Sequence, residues 1–286
     1  MEIPNLIRTL SYMPLWSRTL RALGLGVVAR EWYWRAAQQR HGVISVKVAG
    51  IRCQFRVRNA DELRAVEKEV LGERKPLEVI LSYLGPGDVV YEVGAGAGGV
   101  TLFLAKAGAK VFAFEPSTGN RTRLVENLRL NQVSSVHVFA TALGECDQEI
   151  PFYDGSGRLD FSATPLPSSS MQTSRELIKL IRGDHFRVSN GLPMPRAVHI
   201  DVEGYEYAVI KGLRETLKHE HCLLVACEVH AGLLPDGMGE EDIVASLESL
   251  GFQMVQGYVS HGAHILVGRK SDFSRPPKNV TRNHEF

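Results

Sequence analysis

The sequence predicts an α/β protein with a mainly parallel, seven-stranded sheet. From residue 86 onward, short apolar runs typical of buried strands alternate with helical patterns, which indicates strand–helix–strand units. Near the end of this region two apolar runs flank a short polar segment, which predicts an antiparallel hairpin closing one edge. The expected strands span residues 88–93, 110–114, 136–140, 197–202, 222–229, 252–259 and 264–267.

Helical patterns lie between most of these strands, at 98–107, 118–131, 204–217 and 240–250. The exception is the insertion 145–195, whose Gly, Ser and Pro content predicts loop with one helix near 174–181. Long loops in compact domains are usually functional, so this insertion is a candidate cover for the substrate. Its candidate substrate residues are Tyr153, Asp160, Phe161, His185 and Phe186.

The region before the sheet forms an N-terminal extension, residues 1–85. Apolar alternation over 43–57 around an Ala-Gly turn predicts a β-hairpin, and helical patterns follow at 61–71 and 76–84. Residues 1–40 combine arginines with tryptophans and predict short helices, which suit either packing on the sheet domain or contact with an anionic membrane surface. The main domain is expected at 86–270, and a flexible tail at 271–286.

The composition excludes several classes of protein. Lys and Arg number 33 against 32 Asp and Glu, a net charge of +1, which argues against a nucleic-acid partner. No apolar run reaches the roughly 20 residues that a membrane helix needs. The four cysteines lack zinc-site spacing, and their number is typical of a reducing compartment. We expect a cytoplasmic protein, at most peripheral to a membrane.

A glycine-rich turn follows the first strand of the sheet. Residues 94–99 read Gly-Ala-Gly-Ala-Gly-Gly, a G-x-G-x-x-G pattern between a strand and a helix, where glycines let a ligand approach the backbone. The pattern suits NAD or S-adenosylmethionine. Glu92 precedes the turn and would repel a pyrophosphate but attract an ammonium group. The sequence therefore favours S-adenosylmethionine, while Glu115, at the end of the second strand, can accept both ribose hydroxyls of either nucleotide.

Four ionisable residues follow two neighbouring strands. Asp201 and Glu203 come at the end of the strand 197–202, and Glu228 and His230 have the same spacing at the end of the next. Because α/β ligands bind at the carboxyl ends of strands, these side chains are candidate catalytic groups. One of them can remove a proton from an alcohol. Alternatively, Asp201, Glu228 and His230 can hold a divalent cation that acidifies the alcohol.

Simpler interpretations of these residues remain open. A carboxylate at Glu203 also suits the N-terminus of the helix expected from about residue 204, where negative charge is favourable. His230 is equally compatible with a hydrogen-bonded loop histidine. The sequence therefore identifies candidates for proton transfer without choosing among them.

Several of these segments resemble FkbM-type methyltransferases. The similarity is carried by residues 92–98 (EVGAGAG), 114–116 (FEP), 142–144 (ALG) and 200–206 (IDVEGYE), and extends over about 43–270. The resemblance implies a class I, Rossmann-like methyltransferase sandwich that binds S-adenosylmethionine. It also implies O-methylation of a hydroxyl on a small molecule, a sugar or a lipid-linked glycan. The cofactor-binding residues so predicted are Glu92, Gly94, Ala95, Gly96, Glu115, Pro116, Ala142 and Asp201.

Other functions remain compatible with the sequence. An RNA or protein methyltransferase would share the cofactor residues, although the near-neutral charge argues against RNA. An NAD-linked oxidoreductase would have to tolerate Glu92 beside the pyrophosphate. A non-catalytic binding protein can also keep such a fold.

Overall fold

The computed structural model describes residues 42–66, 70, 74–155, 158–160, 174–260 and 263–271. The expected N-terminal helices, with their membrane contact, and the expected tail from residue 272 lie outside these residues. Within the described part of the chain, no helix combines the length and the apolar character needed to cross a membrane.

Strands β1 to β13 are Val43–Val48, Ile51–Arg56, Val89–Val93, Lys110–Phe114, Val136–Phe139, Ala142–Gly144, Gln148–Gly155, Arg158–Asp160, Ser174–Arg182, Ala197–Ile200, Leu224–Val229, Gln253–Ser260 and Ala263–Arg269. Helices α1 to α8 are Ala60–Val66, Arg74–Tyr83, Thr101–Lys106, Thr118–Leu130, Gly183–Ser189, Glu206–Gly212, Arg214–Lys218 and Glu240–Ser249.

The central sheet has seven strands in the order β12-β13-β11-β10-β3-β4-β5. Strands β11, β10, β3, β4 and β5 run parallel, whereas β12 and β13 pair antiparallel at one edge. Every residue of β11 is buried, as expected for a central strand covered on both faces. The predicted mainly parallel sheet with a C-terminal hairpin is confirmed. The carboxyl ends of β3, β4, β10 and β11 therefore meet at one edge.

Helices and a hairpin cover the two faces of this sheet. On one face, Phe55 of β2 and Phe103 of α3 belong to a single buried apolar cluster. On the other face, Val209 of α6 and Ile243 of α8 pack with Val225 of β11. Burial on both faces explains why the central strands are almost wholly apolar.

Two asparagines of α4 attach the β1–β2 hairpin to the main domain. The Asn127 side chain accepts a hydrogen bond from the Arg56 amide at 2.9 Å and donates one to the carbonyl of Ala97, also at 2.9 Å. Asn131 exchanges hydrogen bonds with both backbone groups of Gln54. Through Asn127 the hairpin is therefore connected directly to the glycine-rich turn.

The insertion 145–195 differs from its prediction. It contributes β7, β8 and β9, which join β6 in a second sheet with the order β6-β9-β7-β8. The predicted helix near 174–181 is wrong, because these residues form strand β9. Exposure alternates along it: Leu177 is exposed, whereas Ile178 and Leu180 are buried. Apolar pairs spaced three apart suit a helix as well as a strand, and pairing with β7 and β6 decides between them.

Residues 204–217 form two short helices, α6 and α7, where one helix is predicted. Helix α6 ends at Gly212, and a Cβ on this residue would lie 1.7 Å from the carbonyl oxygen of Gly144. The close approach of α6 to β6 therefore requires glycine at this position.

Candidate functional site

A crevice opens where β3, β4 and β10 end, and it encloses about 330 Å³ when space open to solvent is included. This is the edge of the sheet at which ligands of α/β proteins usually bind. The crevice is lined by Val93, Gly94, Phe114, Glu115, Pro116, Ala142, Leu143, Asp201, Val202 and Tyr205.

The glycine-rich turn forms one wall of the crevice. Gly94 has a φ of 89°, and a Cβ there would lie 1.7 Å from the carbonyl oxygen of Asp201. The amides of Gly94 and Ala95 both donate to the Phe114 carbonyl, at 2.9 and 3.2 Å. Only glycine fits the first position, because any side chain would separate the turn from the strand that carries Asp201.

Glu115 lies at the base of the crevice and is fully buried. Its two carboxylate oxygens accept hydrogen bonds from the amides of Gly96 and Ser117, each at 2.8 Å. Burial raises the pKa of Glu115 to about 7, although these two amides act in the opposite direction. A carboxylate with two oxygens has lone pairs left for ligand hydroxyls.

Glu92 lies behind the crevice and is not among the residues that line it. It is 2% exposed and faces His199 of the neighbouring strand β10, with 3.7 Å between Oε1 and Nδ1. Burial lowers the pKa of His199, but Glu92, together with the charges of Asp201 and Glu228, outweighs this effect, so the net shift is upward. His199 was missed from the sequence, since a histidine inside an apolar strand gives no signal of its partner.

Five ionisable residues meet beside the crevice, and we call them the ionisable cluster: Asp201, Glu203, Glu206, Glu228 and His230. Nε2 of His230 lies 3.4 Å from Glu203 Oε2, 3.6 Å from Glu228 Oε1 and 3.9 Å from Asp201 Oδ1. The structure therefore brings together all four residues predicted as catalytic candidates. Four carboxylates surround a single imidazole.

Glu206 is the member of the cluster that the sequence analysis did not select. It is fully buried at the start of α6, and its Oε1 lies 2.8 Å from His230 Nδ1 while accepting the Gly204 amide at 2.9 Å. Glu206 Oε1 is a hydrogen-bond acceptor, so His230 Nδ1 must carry the proton that it donates. When the His230 ring is neutral, its Nε2 is then an acceptor. Its position at the end of the 200–206 segment was the available signal.

Charges crowd together in the cluster. Burial raises the pKa of Asp201 well above its usual range, and the charge of Glu228 raises it further. Burial lowers the pKa of His230, but Glu206, Glu203 and Glu228 together outweigh this effect, so the net shift is upward. Oε2 of Glu206 and Oε2 of Glu228 are buried without a hydrogen-bond partner among the described residues.

Glu203 has a strained backbone, with a φ of 50° in the left-handed region. Helix α6 begins three residues later, at Glu206, so Glu203 does not lie in its first turn. Its carboxylate instead lies within 3.4 Å of the His230 ring. Strain of this kind is often found at functional sites.

Five of the eight residues predicted to bind cofactor line the crevice, and the other three lie next to it. Gly94, Glu115, Pro116, Ala142 and Asp201 line the crevice. Ala95 and Glu92 are buried behind it, and Gly96 bonds to Glu115 through its amide. The structure thus assembles most of the predicted set around one space.

Of the candidate substrate residues of the insertion, His185 and Phe186 have described side chains, and neither lines the crevice. Phe186 packs edge-on against Phe114 and Phe139, with ring centroids 5.5 and 5.1 Å apart. His185 is exposed and pairs with Asp147 at 2.6 Å. Phe161 and the side chains of Tyr153 and Asp160 lie outside the described part.

Comparison with known proteins gives a family match over residues 92–254, more than half of the chain, to the methyltransferase FkbM domain. The chain is also similar to hexuronic acid methyltransferase AglP of Haloferax volcanii, with 28% identity over 72% of this chain and 82% of that protein. Among solved structures it is similar to a precorrin-6y C5,15-methyltransferase of Geobacter metallireducens GS-15 (16% identity, TM-score 0.44, 70% and 88% coverage). A magnesium protoporphyrin IX methyltransferase of Synechocystis PCC 6803 has 13% identity, a TM-score of 0.44, and 72% and 84% coverage.

Proposed function

This chain belongs to the FkbM methyltransferase family, and we propose that it uses S-adenosylmethionine to methylate an oxygen atom of a sugar. The observation that carries the proposal is that Asp201 belongs to both parts of the site. This residue lines the crevice beside Gly94 and Glu115 and also belongs to the ionisable cluster. The crevice therefore adjoins a group of proton acceptors.

The residues around the crevice fit the proposed cofactor. Glycine at position 94 lets the turn pack against the Asp201 backbone, where a Cβ would meet the carbonyl oxygen, and this contact brings both residues to the crevice. The buried Glu115 carboxylate retains acceptor capacity for the ribose hydroxyls, and the apolar Ala142 and Leu143 suit the adenine ring. When bound, S-adenosylmethionine supplies a methyl group on a sulfonium, which becomes a neutral thioether after transfer.

The ionisable cluster supports an oxygen acceptor. An alcohol is weakly acidic, so its O–H proton must leave as the oxygen forms its bond to the methyl carbon. Asp201 is the member of the cluster that lines the crevice, and its raised pKa makes its carboxylate a better proton acceptor than an exposed aspartate. His230 and Glu228 lie within 4 Å of one another behind it.

The class of acceptor is inferred from the relative. AglP carries the name of a hexuronic acid methyltransferase, and the match extends over 82% of that protein. We therefore propose a hexuronic acid residue, free or within a lipid-linked glycan, as the acceptor. The crowded carboxylates favour its hydroxyl oxygen, because transfer to a carboxylate oxygen would need no proton acceptor.

The proposal is tested with the full chain and S-adenosylmethionine carrying a labelled methyl group. Hexuronic acid glycosides should become labelled, and the matching neutral hexosides should be labelled far less. Treatment with mild alkali separates the products, since a methyl ether survives and a methyl ester is cleaved. Labelled product that alkali does not release is the expected result.

Two outcomes contradict the proposal. Absence of binding in calorimetry with S-adenosylmethionine would exclude the cofactor, and binding with no transfer to any sugar would exclude the acceptor class. The exposed Asp147, which pairs with His185, provides a matched control. Asp147→Asn should keep full transfer, whereas Asp201→Asn should lose it.

A further inference from the structure

We propose that the ionisable cluster binds a divalent cation through Asp201, Glu228 and His230. One ligand atom from each of these residues lies within 4.8 Å of the other two. Metal–ligand bonds of about 2.0–2.2 Å separate neighbouring ligands by about 3.0–3.5 Å. The distances from His230 Nε2, 3.6 Å to Glu228 Oε1 and 3.9 Å to Asp201 Oδ1, therefore need only small side-chain movements to reach this spacing.

An unpartnered carboxylate points independently to a ligand. Glu228 is 4% exposed, its Oε1 faces the His230 ring, and its Oε2 has no hydrogen-bond partner among the described residues. Burying a carboxylate oxygen without a hydrogen-bond partner is unfavourable. A cation bound between Glu228 and Asp201 would remove this cost.

The hydrogen bonds of His230 match those of a metal-binding histidine. Its Nδ1 bonds to Glu206 Oε1 at 2.8 Å, which turns Nε2 toward the carboxylates of Asp201 and Glu228. Histidines that bind metal usually donate their second ring nitrogen to a carboxylate in this way. Glu206 is itself fixed by the Gly204 amide at 2.9 Å, so it acts as a positioning residue.

Charge balance supports the same conclusion. The cluster contains four carboxylates and one imidazole, and no lysine or arginine of the described residues forms an ion pair with Asp201, Glu206 or Glu228. A mixed set of carboxylate oxygens and one imidazole nitrogen suits a divalent ion such as Mn²⁺. The role of the cation in methyl transfer rests on the proposed function, whereas its binding does not. In that role the cation would lie beside Asp201 and hold an acceptor oxygen at the crevice.

The test is a titration of the full chain, freed of metal by a chelator, with Mn²⁺ alone. Electron paramagnetic resonance follows the loss of the free Mn²⁺ signal, and no substrate or activity is required. We expect about one tightly bound ion per chain. Asp201→Asn and Glu228→Gln, which preserve side-chain shape, should each weaken binding by at least about 100-fold, and Glu206→Gln by about 10–100-fold.

Matched controls separate this site from nonspecific binding. Asp147→Asn removes a carboxylate that also pairs with a histidine but lies outside the cluster, and it should leave the Mn²⁺ affinity unchanged. Circular dichroism identifies any variant that fails to fold, and Glu228→Gln then serves in place of Asp201→Asn or the reverse. Wild-type affinity in both variants would overturn the proposal, as would a wild-type dissociation constant above about 1 mM.

The methyl-transfer assay distinguishes this proposal from the proposed function. A chain that transfers methyl groups to a hexuronide but binds no Mn²⁺ overturns the cation site alone. A chain that binds Mn²⁺ through Asp201 and Glu228 but methylates no sugar overturns the function alone.

Discussion

The two sides of the crevice differ in how their carboxylates are satisfied. On the cofactor side, both oxygens of the buried Glu115 accept hydrogen bonds from backbone amides. On the other side, the ionisable cluster holds four carboxylates around His230, and buried oxygens of Glu206 and Glu228 lack a hydrogen-bond partner among the described residues. The first side is held rigidly by the backbone, and the second is crowded with charge.

This difference indicates different tasks. A carboxylate fixed by backbone amides is already oriented for a ligand, so binding costs little reorganisation. A crowded group of carboxylates is unfavourable until a proton or a cation enters, and such groups are common where chemistry takes place. Under the proposed function, one side would bind the nucleotide and the other would activate the acceptor.

The largest expected effect is on catalysis, from substitution of His230. His230→Gln should lower kcat for methyl transfer by about 10²–10⁴-fold, because the cluster loses its imidazole. The affinity for S-adenosylmethionine should change by less than about threefold, since His230 does not line the crevice. Labelled-methyl kinetics and calorimetry measure the two quantities. His185→Gln, at an exposed histidine, is the control, and an equal loss of cofactor affinity in His230→Gln would contradict the division of tasks.

Substitution on the cofactor side should produce the opposite pattern. Glu115→Ala should weaken S-adenosylmethionine binding by about 100-fold, since two hydrogen bonds to a charged group are lost at about 1.5 kcal/mol each. With saturating cofactor, kcat should remain within about threefold of wild type. Calorimetry measures the affinity, and Glu149→Ala, at an exposed glutamate, is the control. An unchanged affinity would remove Glu115 from the cofactor site.

The affinity for S-adenosylmethionine should also depend on pH through Glu115, with a smaller effect than the substitution of this residue. The pKa of Glu115 is about 7, and ribose hydroxyls donate to the ionised form, so binding should lower this pKa. Affinity should therefore be full above about pH 7 and should fall by up to about tenfold per pH unit below it. Calorimetry between about pH 5.5 and 7 measures this dependence. Glu115→Gln should bind more weakly with a flatter profile, and a slope equal to wild type would assign the titration to another group.

The parts of the fold that the sequence predicts are those with local signals. The wholly buried run of β11 and the glycine turn at Gly94 depend on neighbouring residues in the chain, and the structure has both where the pattern indicates. Strand β9 was predicted as a helix, because its apolar pairs suit both periods and its partner β7 is distant in sequence. Pairing between distant segments is the information that a local pattern lacks.

The same limit explains which site residues were found. Asp201, Glu203, Glu228 and His230 follow strands whose carboxyl ends must share an edge, so topology alone predicts their proximity. Glu206 could be identified only from the three-dimensional structure. It begins helix α6, and its side chain bonds to the Gly204 amide and to the His230 ring. No periodic pattern in the sequence predicts this contact between the Glu206 side chain and His230.

The smallest expected effect concerns the backbone of the crowded side. Glu203 has a left-handed φ of 50°, which costs an L-residue about 1–2 kcal/mol and costs glycine almost nothing. Glu203→Ala and Glu203→Gly both remove the carboxylate, but only glycine relieves the backbone. After the greater chain entropy of unfolded glycine is subtracted, Glu203→Gly should be more stable than Glu203→Ala by about 0.5–1 kcal/mol. Thermal unfolding should then show a Tm higher by about 1–4 °C. Equal Tm values would mean that the backbone conformation of Glu203 does not destabilise the protein. Any destabilisation by the ionisable cluster would then come from its charges alone.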